Sequence, residues 1–141
     1  MDTRLEPLPL WKVQFQSAKT VCEEKCVHHD ASAVGKGDYK ALAITLREGN
    51  KIVGGLIGWT WMGWCHVDLV WIEDKYRGRG RGTQLMRRAE SEARKRGAKH
   101  MFLDSFSFQA PGFYKTLGYR EFGRLKDFPK GHTRHFLQKA L

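Results

Sequence analysis

Apolar positions along this chain keep two rhythms, and the switches between them mark out its elements. Residues 1–15 hold no sustained helical period and predict a loop, in which "LWKVQF" (10–15) alternates as an irregular strand. Across 16–29, "QSAKTVCEEKCVHH", Ala18, Val21, Cys22 and Cys26 fall at helical spacing, so a helix is predicted there. "DASAVGKGDY" (30–39) has the Gly and Asp content of a loop. "ALAITLR" and "KIVGGLIGWTWM" are β-rich runs joined by "EGN", the pattern of a hairpin, and "MGW" leads through a second tight turn into "WCHVDLVWI" (64–72).

Past the strand at 64–72 the period changes. From Thr83, apolar residues recur at Leu85, Met86, Ala89 and Ala93, one face of a helix. "RKRG" closes it, with cations in the last turn and Gly97 as the C-terminal stop. A strand "KHMFLDSF", a short helix within "QAPGFYKTLG" ending at Gly118, a strand "YREFGRL", a loop "KDFPKGH" and a closing strand "TRHFLQKAL" follow. This order predicts an α+β fold in one domain over 1–141: a largely antiparallel sheet with at least one β-α-β crossover.

Composition narrows the classes. At 41% hydrophobic, the 141 residues can build a core, which excludes wholesale disorder. No apolar run approaches the ~18 residues of a membrane span, and "MDTRLEPLPLW" lacks the apolar centre of a secretion signal. A net charge of +10 points to an acidic partner such as nucleic acid, anionic lipid or a polyphosphate cofactor, or else only to a soluble surface. The three cysteines are an odd number, so they cannot all pair within the chain, and reduced thiols fit a cytoplasmic enzyme. Cys22 and Cys26, with His28 and His29 after them, lack CxxC spacing and a second cysteine pair; two small apolar residues on one helix face is the simpler reading, and no metal is predicted.

The stretch "YRGRGRGTQLM" (76–86) carries the chemistry. Gly80 and Gly82 precede a helix start, where amides lack partners and the helix dipole favours negative charge. Strand, glycine-rich turn and helix N-terminus together make a phosphate cradle. It is neither a Walker loop nor a dinucleotide GxGxxG. Its fixed place between a strand and a helix also argues against a disordered RGG-type nucleic-acid patch, and no RRM, zinc-finger or helix-turn-helix signature accompanies it.

"VWIEDKYRGRGRGTQLMRRAE" resembles the acetyl-CoA-binding motif of the GNAT N-acetyltransferase family, whose Q/R-x-x-G-x-G/A signature is matched by Arg77, Gly80 and Gly82. A second family element is matched by Ala110, Tyr114, Gly118 and Tyr119 in "APGFYKTLGY". The resemblance spans about residues 40–141 and is weak before that. It implies the acyl-CoA N-acyltransferase fold, a mixed and mostly antiparallel sheet splayed at its centre and flanked by helices. It also implies direct transfer of an acetyl group from acetyl-CoA to an amine.

Residue by residue, the resemblance places the pantetheine arm on the backbone of Val70, Trp71 and Ile72. It places the pyrophosphate on the loop from Arg77 through Gly78, Arg79, Gly80, Arg81 and Gly82 to Thr83. Tyr114 becomes the acid that protonates the leaving thiolate, as a phenol protonated at neutral pH can. An amine must lose a proton to attack, so a base is needed. Strand alternation puts His66, Asp68, Val70 and Ile72 on one face and Glu73 on the other. Asp68, a carboxylate inside an apolar strand, ranks first as base, His66 second and Asp104 third. Where many members carry an asparagine that bonds the pantetheine, this chain has Ser107, which reaches less far.

The acceptor is left as an amine-bearing small molecule or peptide. Trp59, Trp61, Trp64 and Trp71 cluster around the central hairpin, either as packing or as an aromatic wall for a cationic amine. Lys130, His132 and Arg134 in "DFPKGHTRH" either close over the same mouth or are exposed loop charges. Family members are often homodimers. The alternative to an enzyme is a CoA-binding sensor or scaffold module of the same fold.

Overall fold

The structure, a computed structural model, describes residues 10–35 and 37–141. The chain divides into two compact units, Met1–Gly37 and Asp38–Leu141.

The first unit contributes helix α1, Leu10–Val34. This corrects two expectations: "LWKVQF" is the helix's first turns instead of a strand, and the helix runs on through Asp30–Val34 instead of ending in a loop. The residues from 10 to 34 contain neither Gly nor Pro, so nothing interrupts the backbone ladder, and a proline stands just before it in sequence, where helices tolerate one. From Lys19 onward every described side chain of α1 is exposed, Cys22 and Cys26 included, and both are free thiols. Among the described residues no group of three or more His, Cys, Asp or Glu could hold a metal, and no helix is long and apolar enough to cross a membrane.

The second unit is a six-stranded sheet in the order β1-β2-β3-β4-β6-β5. Strands β1 (Lys40–Glu48), β2 (Lys51–Trp61) and β3 (Trp64–Ile72) form an antiparallel meander through tight turns at Gly49–Asn50 and Met62–Gly63. A single 3₁₀ turn, Asp74–Tyr76, leads to helix α2, Arg81–Lys95. The chain then enters β4 (His100–Phe106), helix α3 (Pro111–Thr116), β5 (Arg120–Lys126) and β6 (Thr133–Ala140). Only β3 and β4 are parallel neighbours, with α2 as the crossover between them.

Helix α2 buries Leu85, Met86, Ala89 and Ala93 in a core with Leu42, Leu56, Cys65, Val67, Met101, Leu103 and Leu137. Each large side chain there contributes about 1.5–3 kcal/mol by leaving water. Cys65 is a core side chain, and burial pushes its thiol up to about 11, so it stays an unreactive S–H.

Two irregularities open the sheet. The β3–β4 ladder joins Trp64–Val67 to His100–Leu103 and stops, although both strands continue. On its other side β3 carries a bulge against β2: Ile57 pairs with Leu69 and Gly58 with Val67, leaving Asp68 as the extra residue. Gly58 permits it, because a Cβ there would run into the His66 carbonyl. The bulge overturns the simple alternation expected for β3. Cys65 and Val67 face the core below it and Val70 packs on that core above it, so His66 and Val70 lie on opposite faces.

A candidate acetyl-transfer cleft

Beyond Val67 and Leu103 the parted strands enclose a cavity of about 1030 Å³. One wall is the upper half of β3 and the other the upper half of β4 with α3. The turn into α2 closes one end. The parting leaves the β3 backbone from Asp68 to Ile72 without ladder partners on the β4 side, so those of its amides and carbonyls that point away from β2 face the cavity. One of them is taken: Arg77 Nε donates to the Ile72 carbonyl at 2.9 Å while its Nη1 lies 3.1 Å from Asp74 Oδ1. Arg77 therefore ties the strand end to the turn with the side chain that the motif assigns to the cofactor.

The turn is built for an anion. Helix α2 starts at Arg81, two residues before the apolar period becomes readable, with Gly80 as its N-cap at φ 74, left-handed backbone that glycine adopts without strain. Gln84 is the first residue to close a helical bond, to the Gly80 carbonyl at 3.0 Å. The amides of Arg81, Gly82 and Thr83 therefore have no partner among the described residues, and they stand on the cavity.

Most expected site residues are gathered here. Val70, Trp71, Ile72, Arg77, Gly78, Gly80, Arg81, Gly82 and Thr83 all line the cavity, as do His66, Asp68, Asp104 and Tyr114. Two do not. Arg79 is exposed and does not reach the cavity lining. Ser107 is engaged elsewhere: its hydroxyl meets His132 Nδ1 at 3.2 Å and accepts from the Thr133 amide at 3.1 Å, tying the end of β4 to the start of β6. Ser105, which the motif does not include, lines the cavity instead, and its buried hydroxyl has no partner among the described residues. Its placement follows from strand alternation with Leu103, a signal readable in "LDSF".

Tyr114 stands on the α3 wall, half-buried and packed on the core, with no hydrogen bond from its hydroxyl among the described residues. Burial first, and then the Asp104 carboxylate, raise its pKa above the ordinary 10.0, so it is a phenol with a proton to give. Asp68 and Asp104 are the first residues past the last ladder pair, Val67–Leu103, and both line the cavity. Asp104 Oδ2 is bound by Arg134 Nε at 2.7 Å, and that guanidinium is packed 5.2–5.3 Å from the rings of Phe106, Phe128 and Phe136. Asp68 keeps a freer position. Its Oδ1 lies 2.7 Å from His66 Nδ1, but too far off the ring's N–H direction for a hydrogen bond. The His66 ring is itself set between Trp59 and Phe102, at 5.1 and 4.3 Å. Trp59 thus packs with the His66 and Phe102 rings and Trp64 with those of His100 and Phe102, whereas Trp71 is exposed on the cavity wall.

Comparison with known proteins agrees with this geometry. Residues 8–119 match the model of the acetyltransferase (GNAT) family. A blasticidin-S acetyltransferase of Streptomyces morookaense is 42% identical over 95 residues, 67% of this chain and 70% of the relative. The crystal structure of an acetyltransferase from Bacillus cereus superposes with a TM-score of 0.76 at 34% identity, covering 99% of this chain and 98% of that one. An acetyltransferase structure from Agrobacterium tumefaciens superposes at 0.82 with 29% identity over the whole of both chains.

Proposed function

This chain belongs to the acetyltransferase (GNAT) family and is an N-acetyltransferase fed by acetyl-CoA, and from that premise we propose how its own residues carry the transfer. The observation that carries the proposal is the parting of β3 from β4 after Val67 and Leu103, which turns strand backbone into ligand-binding surface. The free amides of Arg81, Gly82 and Thr83 hold the pyrophosphate, and the freed backbone of Val70, Trp71 and Ile72 holds the pantetheine arm, with the thioester at the fork of the two strands. Arg77 serves by fixing the corner.

Asp68 takes the acceptor's proton, directly or through a water, because it sits at the fork and is the less encumbered carboxylate of the two there. The neutral amine attacks the thioester carbonyl. Backbone N–H groups of the parted strand stabilise the oxyanion, and collapse expels the CoA thiolate, which takes the proton of Tyr114; the second proton left on the attacking nitrogen passes through water to the tyrosinate. His66 orients Asp68.

The acceptor is an amine-bearing small molecule or peptide, and blasticidin S, for which the Streptomyces relative is named, is the first compound to test. The enzyme works in the cytoplasm as a homodimer. Free thiols at all three cysteines support the compartment, and the half-exposed Phe122 and Leu125 on edge strand β5 support a second copy. Saturating acetyl-CoA is expected to raise Tm by about 5 °C, and Gly82→Glu, which sets a carboxylate against the free amides, to remove that shift. No shift in the unaltered protein would overturn the proposal.

A further inference from the structure

Helix α2 buries a carboxylate within its apolar stripe. Glu90 stands one turn after Met86, beside Ala89 and Ala93, and is 1% exposed. Such a group is costly without partners, and three donors meet it. Lys139 Nζ, on β6, donates to Oε1 at 2.9 Å, the Tyr119 hydroxyl donates to the same oxygen at 3.3 Å, and Arg87 Nη1 donates to Oε2 at 3.3 Å. Burial and the Glu90 charge both raise the Tyr119 pKa, so its hydroxyl remains a donor.

Both inner donors also grip the end of α3. Lys139 Nζ donates a second bond, at 2.8 Å, to the carbonyl of Leu117, the C-cap of that helix. The Tyr119 amide donates to the Tyr114 carbonyl at 3.1 Å, and the two rings meet edge to face at 6.2 Å. Helix α3 has six residues and none of them is fully buried, so apolar packing alone holds it weakly. A buried ion pair adds little net stability compared with apolar side chains of the same volume. Its distinguishing property is direction, since each of its N–H groups has one partner at one distance.

We propose that Glu90, Lys139 and Tyr119 form a positioning device that registers α3, and with it the Tyr114 hydroxyl, against the helix whose N-terminus holds the cofactor. The proposal rests on Tyr114 as the acid, and a double-mutant cycle separates the two ideas. Glu90→Leu with Lys139→Met replaces the ion pair by apolar volume. This paired variant is expected to keep its Tm within a few degrees and its acetyl-CoA Kd unchanged, while kcat falls about tenfold. Tyr114→Phe is expected to lower kcat strongly in the natural background and far less in the paired variant. An unchanged kcat in the paired variant, or losses that simply multiply, overturns the positioning device and leaves Tyr114 as the acid. No effect of Tyr114→Phe in the natural background overturns the acid and the device together. If the paired variant does not fold, Tyr119→Phe supplies the same cycle, with a smaller loss and the same non-additivity expected.

Discussion

Strands β3 and β4 each change character partway along. Below the border, Trp64–Val67 and His100–Leu103 share a ladder and send Cys65, Val67, Met101 and Leu103 into the core. Above it, Asp68–Ile72 and Asp104–Phe106 part, and the first residue of each upper half is an aspartate. Sequence composition hardly changes across that line. Backbone pairing does, and it decides which residues support the fold and which face ligands. One bulge and one side-chain-free position, Gly58, suffice to divide a strand in this way.

Substitutions on either side of the border can break this comparison. The largest effect on folding is expected below it: Leu103→Ala should cost about 2–5 kcal/mol in denaturant unfolding and leave kcat per folded molecule nearly intact. The reverse pattern is expected for Tyr114→Phe, with kcat down about a hundredfold and acetyl-CoA Kd within twofold. Equal losses in both quantities would mean that the hydroxyl serves binding instead of chemistry. Because its pKa lies above 10.0, Tyr114 should impose no fall in kcat below pH 10. By linkage, the raised groups keep their full stabilising contribution below their ordinary values, 9.0 for Cys65 and 10.0 for Tyr114 and Tyr119, and lose it as pH climbs beyond, so unfolding titrations should turn downward above about pH 9.

Smaller effects sharpen the border itself. Asp68→Asn should lower kcat/KM about tenfold, with stability changed by no more than about 0.5 kcal/mol. An unaltered kcat/KM would move the base role to another group. Ser107→Ala should leave acetyl-CoA binding within about twofold, since its hydroxyl already serves Thr133 and His132. A large loss of affinity there would return it to the cofactor.

Much of the arrangement was legible in the residues. Alternation and turn chemistry located all six strands of the sheet, and the switch to a 3.6-residue period located α2. The glycine–arginine stretch and the "APGFYKTLGY" run both contribute to the cavity lining, Tyr114 included. What was hidden depends on pairing between distant segments. A bulge adds no letter that alternation can register, so the face of His66 relative to Val70 was misread. Ser107 and Ser105 differ only in which wall each meets, and that is set by β6 and the loop before it. Glu90 carried a readable signal, a charge inside the stripe Met86–Ala89–Ala93, but its partners Tyr119 and Lys139 lie 29 and 49 residues away. In α1 the short "LWKVQF" alternation was outweighed by an uninterrupted run of residues that a helix tolerates.

The parallel seam of four residue pairs between β3 and β4 has one more consequence. The phosphate corner and Asp68 belong to the segment before the seam, whereas Tyr114, Asp104 and Arg134 belong to the segment after it. On the proposed roles, base and acid therefore come from opposite sides of that seam, and four backbone pairs hold the two segments that carry them together.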